Sequence, residues 1–418
     1  MTVPTQAPVA PAIARPRPAR RALDDLSLPI DASIVEALAD ASPDWLAADR
    51  RAAFAAYGSL PGESNLLYTP YIDLRAARLE GARIATHPAR AGTDRSTGML
   101  PADADALIEI TEGAVTAVVL SDAASAAGVR LGSLLDGLEA ARAALDGSGQ
   151  LPASDRFAQL TRAAWSQGVL LEVPAGVVLE RPVIVRWAVG APDRALLTRT
   201  VIRLGDGADA DVVEELVDSR AADLDPGAGQ AFFAGTSEVT LGAGATLRMA
   251  SLQEVGPSTI VLQHRSAEIG EGATLQWALA QMGGRLVRSR VDNRLVGDRS
   301  SVEQVEIVFG ADDQLFDLTS YTTHIGRDTT GDLLSKAALL ERSRTYLKGL
   351  ITIEKTAIGT DSFLGEFGMN LSKAARSVAI PSLEIDQPDC RRAAHSSSVG
   401  PVDETQLFYL ESRGIPPD

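Results

Sequence analysis

The hydrophobic rhythm of the chain changes about a third of the way along. From Asp31, residues Ile34, Leu38, Trp45, Leu46, Phe54 and Tyr57 recur at roughly helical spacing. Pro43 opens a second helix there and Leu60-Pro61 ends it. Residues 106–120, ALIEITEGAVTAVVL, form two β-rich runs around Glu112-Gly113 and predict a hairpin. Residues 130–146 and 154–167 predict helices again, the second carrying Phe157, Leu160, Ala164 and Trp165. From about Gly168 the runs are short, rich in Val, Ile, Leu and Thr, and parted by glycine-bearing turns.

Those turns repeat. An aliphatic residue, a small turn and a return to β-formers read LGDGADADV from Leu204, LGAGATL from Leu241 and IGEGATL from Ile269. Weaker copies follow at Val296, Ile325 and Ile358, so the intervals are 37, 28, 27, 29 and 33 residues. A period in the high twenties with a turn at fixed phase marks a solenoid. No helical pattern separates the strands, which disfavours a βαβ sheet. The expected fold is mainly β, a right-handed parallel β-helix; the alternative is a β-sandwich with glycine-rich hairpins. The expected order is a disordered Pro/Ala/Arg arm (1–25), a mixed, mainly helical domain (26–167), the β-helix core (168–385) and a C-terminal loop and helix (386–418).

Composition narrows the function by exclusion. The formal net charge is −16, the wrong sign for phosphate backbones or anionic membranes. No apolar run is long enough for a spanning helix, and Arg15, Arg17, Arg20 and Arg21 have no apolar run behind them, against a secretory signal. A single cysteine allows no internal disulfide and no self-contained Cys-rich metal site, which fits a reducing cytoplasm. The four lysines, Lys336, Lys348, Lys355 and Lys373, follow no glycine-rich loop, so a phosphate-cradling motif is absent.

The candidate chemistry is sparse. His395 sits in a polar stretch before Gly400 and Pro401, after which Asp403 and Glu404 open an amphipathic helix with Leu407, Phe408 and Tyr409. Imidazole is a good iron ligand; the plain alternative is a loop histidine capping that helix. Cys390 offers a soft thiolate beside it, with Arg391 and Arg392 adjacent; the alternative is an unremarkable surface thiol. Asp317 and His324, an odd number of residues apart, fall on opposite strand faces and are expected to be solvent-facing polar positions. His87 and His264 are expected to be surface or core histidines. Glu303 and Glu306 also fall on opposite faces, where glycosidase carboxylates need a shared cleft.

The block IPSLEID from Ile380, then Cys390, His395 and VGPVDETQLFYLESRG, resembles the C-terminal region of the SufB/SufD family, scaffold proteins of Suf iron–sulfur cluster assembly. Asp317 with His324 and YLKGLITIEKTAIGTDSFLGEFGMNL from Tyr346 also resemble the family; LLEVPAGVVLERPVIV from Leu170 looks like its entry into the β-helix, and PDWLAADRRAAFAAYGSLP from Pro43 resembles its opening loosely. Within the family the chain looks most like SufD. The resemblance implies a non-catalytic scaffold subunit without a stably bound cofactor. It would pair with a SufB-like paralogue through its β-helix and meet a SufC-like ATPase through C-terminal helices. Iron or a nascent cluster would be held transiently near that interface, at His395 and in reach of Cys390. A homodimer of the isolated chain is a further expectation, because a solenoid end leaves open strand edges. Two departures stand out. The family's Cys-Ser-His-Gly-Ala-Thr run reads Ala393-Ala394-His395-Ser396-Ser397-Ser398 here, and the chain stops at IPPD where the family continues into further helices. The competing readings are a carbohydrate-active β-helix enzyme, disfavoured by the missing export signal and only 5% aromatic residues, and a purely structural solenoid.

Overall fold

A computed structural model describes residues 26–60, 73–84, 99–136, 150–219 and 229–416, with residues 138, 142 and 145 between them. The expected arm (1–25) and His87 lie outside the described residues. About 50% of the chain is strand, wound into a β-solenoid of about 8 turns.

Each coil joins one odd-numbered and one even-numbered strand. In chain order the coils are β5 (Gln167–Val173) with β6 (Val183–Val189), β7 (Arg194–Leu204) with β8 (Asp209–Asp218), β9 (Ala231–Leu241) with β10 (Thr246–Glu254), and β11 (Thr259–Ile269) with β12 (Thr274–Gln281). They continue as β13 (Leu286–Leu295) with β14 (Ser301–Gly310), β15 (Leu315–His324) with β16 (Thr330–Leu339), β17 (Arg344–Ile353) with β18 (Asp361–Asn370), and β19 (Arg376–Ile385) with β20 (Arg392–Pro401). Odd strands from β5 to β19 form one sheet in that order and even strands from β6 to β20 the other; neighbours are parallel and in unbroken register. The face-packed antiparallel sandwich is thereby excluded.

The glycine motif is the corner between the two sheets. Its first glycine lies against the previous coil: a Cβ at Gly270 would come 2.6 Å from Leu241 O, and one at Gly297 2.0 Å from Glu271 N. Its second glycine takes left-handed φ, 66° at Gly207, 66° at Gly244 and 62° at Gly272. Arg299 and Asp328 hold the same corner with φ of 57° and 53°, and Gly359 follows at 78°. Each of the six donates its N–H to a carbonyl of the next coil, from Gly207→Ala243 to Gly359→Asp389. The small residue after it, Ala208, Ala245, Ala273, Ser300, Thr329 or Thr360, is buried in a stack.

The solenoid starts closed. The predicted hairpin, β2 (Ala106–Thr111) and β3 (Ala114–Leu120), pairs β2 with β6. Residues 130–146 are not one helix: β4 (Arg130–Ser133) pairs antiparallel with β5. Strand pairing at the odd sheet's first edge satisfies backbone groups that a helix there would leave open. β1 (Arg83–Ile84) pairs with β7.

The outer face of the odd sheet is covered. Helices α1 (Ala32–Asp40), α2 (Asp44–Ser59) and α4 (Arg156–Ala164) pack together through Val35, Ala53 and Ala163; a short α3 (Asp122–Ala126) follows the hairpin. Phe157, Leu160, Leu26, Leu74 and Leu79 pack on Leu197, Phe232, Ile260, Leu286 and Leu315 of the sheet. Asp155 locks this contact. One oxygen caps α4 by accepting from Phe157 N and Ala158 N, and the other takes Arg288 Nη2 at 2.5 Å and Arg290 Nη1 at 3.0 Å. Burial alone would raise the Asp155 carboxyl, but Arg288, Arg290 and His264 hold it well below the usual carboxylate range.

Candidate functional site

The far end of the solenoid is unfinished. Interior columns of Val, Leu, Ile and Trp run through the early coils, yet the inward column ends on β20 with Ala393, His395, Ser397 and Val399, paired with Ser362, Leu364, Glu366 and Gly368 of β18. Every earlier coil has the next one hydrogen-bonded along its edge. Among the described residues the coil of β19 and β20 has no following coil, and His395 and Ser397 are exposed. His395 therefore stands on a regular strand, not in the expected loop. Arg392 to Pro401 gain a full ladder of backbone pairs with β18, which outweighs their weak β-propensity.

Cys390 lies in the turn before β20, half-buried against the end of the core. The neighbouring guanidiniums turn to the preceding corner: Arg391 Nη2 meets Asp328 Oδ1 at 2.5 Å and Arg392 Nε meets Asp361 Oδ1 at 2.6 Å. The terminal coil so carries both predicted residues. Among the described residues no group of three or more His, Cys, Asp and Glu is assembled for a metal ion.

The other candidates are dispersed. Asp317 and His324 do fall on opposite faces, but both are buried, contrary to the expectation of solvent exposure. Asp317 Oδ1 meets Lys348 Nζ at 2.8 Å on the outer face. His324 is at an inner corner, 2.8 Å from Thr329 Oγ1 and 3.0 Å from Ser362 Oγ, and burial lowers it to about 4. It is a neutral core histidine. His264 is also buried and bonds Asp292 at 2.5 Å. Glu303 faces outward and Glu306 inward, so they share no cleft.

Sequence reading missed a second set of groups inside the coil. Arg265 Nη2 donates to Glu214 Oε2 at 2.6 Å and to Ser251 Oγ at 2.8 Å. Gln281 Nε2 donates to Glu306 Oε1 at 3.1 Å, and burial raises the Glu306 carboxyl. Near the open end, burial pushes Glu366 up to about 8, against a backbone hydrogen bond from Ile380. Alternation on a two-faced strand put these carboxyls inward, but no residue-type signal distinguishes an inward glutamate from an outward one.

After β20, Asp403 caps α5 (Glu404–Ser412) by accepting from Thr405 N at 2.6 Å and Gln406 N at 3.3 Å. Leu407, Phe408, Tyr409 and Leu410 are all exposed. Four consecutive apolar residues ring the helix and do not form the single stripe of the expected amphipathic helix.

The family model for the SUF system FeS cluster assembly SufBD core domain matches residues 187–418. The chain belongs to this family. Its match begins within β6 and takes in the coils that follow, the terminal strand and α5. Among curated proteins, the iron–sulfur cluster assembly protein SufD of Bacillus subtilis is 29% identical over 250 residues, 60% of this chain and 56% of that protein. An iron–sulfur cluster assembly SufBD family protein of Mycobacterium tuberculosis is 32% identical over 166 residues, 38% of this chain and 42% of that protein. One of Mycobacterium leprae is 27% identical over 278 residues, 64% of this chain and 67% of that protein. The chain spans about half the length of the first two. These likenesses make it a SufBD-type protein of iron–sulfur cluster assembly, most like SufD. Among the described residues no helix is long and apolar enough to cross a membrane.

Proposed function

We propose that this chain is a non-catalytic scaffold subunit. Its open terminal coil pairs with a SufB-like paralogue, and iron or a nascent cluster, as cargo, is held transiently at the contact by His395. The observation that carries this is the uncapped last coil. It presents an exposed imidazole on the inward side of a strand whose outer edge has no strand neighbour among the described residues. The same terminal coils expose apolar side chains on both faces, Val399 and Ile385 inside, Val378 and Met369 outside. Neutral imidazole supplies a nitrogen donor to iron, and the sister chain supplies the rest. Cys390 is in the same coil and adds a thiolate within the reading, second to His395.

The ringed apolar surface of α5 suits contact with a SufC-like ATPase, whose nucleotide cycle would work on the interface from outside the coil. In the absence of the paralogue, a second copy of the chain is the alternative occupant of the open edge.

Co-expression with the paralogue and the ATPase tests the proposal. The wild-type chain copurifies with both and the complex accumulates iron and sulfide; His395→Ala copurifies equally but accumulates neither. Normal cluster loading by that variant contradicts the role of His395, and a chain that copurifies with neither protein contradicts the scaffold reading.

A further inference from the structure

Glu366 is an unusual residue for a solenoid interior. It lies on the inward face of β18 with 1% of its surface exposed. The backbone of Ile380 on the opposite sheet lies beside its carboxyl. Gly349 makes the room: a Cβ there would lie 2.4 Å from Leu364 Cδ2 and 2.9 Å from Glu366 Oε1. The second oxygen, Oε2, is enclosed and has no hydrogen-bond partner. An enclosed carboxyl oxygen without a partner has lost its hydration with nothing in exchange, so a bare one asks what it is meant to meet.

Its neighbours on the even sheet narrow the answer. Glu366 is paired with Ser397 of β20, and Leu364 with His395. Glu366 and His395 are thus one strand and two residues apart on the same face, a diagonal of about 7–8 Å, which two long side chains span. Among the described residues no cation pairs with the carboxyl. Arg391 and Arg392 face Asp328 and Asp361, and Lys348 faces Asp317 on the outer side of the odd sheet. A divalent cation would displace the proton that burial keeps on this carboxyl and satisfy the free oxygen.

We propose that Glu366 is a second iron-binding residue of the assembly site: its free oxygen and the imidazole of His395 form an inward-facing oxygen–nitrogen donor pair for ferrous iron at the open end. Carboxylate and imidazole together suit divalent iron. Two donors do not complete a coordination shell, in keeping with the absence of any three-ligand group among the described residues. The pair is half of a site that the sister chain or solvent finishes. This inference rests on the proposed role of His395.

Anaerobic titration of the complex of the full chain with its paralogue tests it, with Co²⁺ alone as the spectroscopic probe for ferrous iron. Glu366→Gln keeps the shape of the side chain, so an unchanged melting temperature reports an intact fold. Both Glu366→Gln and His395→Ala should weaken Co²⁺ binding at least ten-fold and alter its visible ligand-field bands. If His395→Ala weakens binding and Glu366→Gln leaves affinity and bands as in the wild type, the role of Glu366 is overturned and that of His395 stands. If neither variant weakens binding, or the wild-type complex takes up no Co²⁺, both fail. Weakening by Glu366→Gln alone overturns the pair.

Discussion

Three inward glutamates set the behaviour of single residues here. Glu214 bonds Arg265 directly, whereas Glu306 bonds the Gln281 amide, and burial raises its carboxyl above the ordinary 4.5 despite the charge of Arg265. The folded state therefore holds a proton that the unfolded chain releases once pH exceeds about 4.5. Stability from Glu306 is full below that value and is lost as pH rises through the higher folded value. Glu306→Gln should flatten this decline: the melting temperatures of variant and wild type should diverge in favour of the variant between pH 5 and pH 8. Parallel curves would show that Glu306 is ionised in the fold. The same scale explains what the sequence hid. His395 reads as a loop residue because Ala-Ala-His-Ser-Ser-Ser lacks the apolar alternation of a half-buried strand. β20 owes its strand conformation to the ladder with β18, not to an apolar inner stripe. Glu366 was invisible for the opposite reason: its burial depends on Gly349, a residue 17 positions upstream on another sheet.

At the scale of elements, the corner motif was legible as a repeat and its physics explains both its strong and weak copies. The first glycine permits backbone contact and the second a left-handed φ. Copies at Val296 and Ile325 read weakly because Arg299 and Asp328 accept that φ without being glycine. A Cβ at Gly244 meets nothing within 4 Å, so Gly244→Ala isolates backbone strain and should cost about 1 kcal/mol in denaturant unfolding. Gly297→Ala adds a clash with the Glu271 backbone and should cost more, roughly 1–3 kcal/mol or above. Equal losses at the two positions would refute the division of labour. The N-terminal helices depend on another single residue. Asp155→Ala removes the cap of α4 and leaves two buried guanidiniums short of a carboxylate; the expected loss is about 3–5 kcal/mol. Limited proteolysis should then cut within 32–59 before it cuts the coils. The helical spacing that predicted α1, α2 and α4 came from residues packed on the sheet, so it was readable. β4 was not, because it is a strand only through β5.

The whole molecule is asymmetric. One end is closed by the hairpin and β4, one flank is sealed by helices, and the other end stops with open edges and polar inner positions. The period of the turns disclosed the solenoid; the asymmetry of its ends was not legible, since it depends on which strands lack a neighbour. On the proposed function this end is the face that a sister chain completes. Backbone hydrogen exchange of the chain alone and in complex with its paralogue measures this most directly. The account predicts new protection concentrated in β19, β20 and the turn carrying Cys390, with the closed end unchanged. Protection confined to the helical flank or the hairpin, with residues 376–401 exchanging as before, would contradict it.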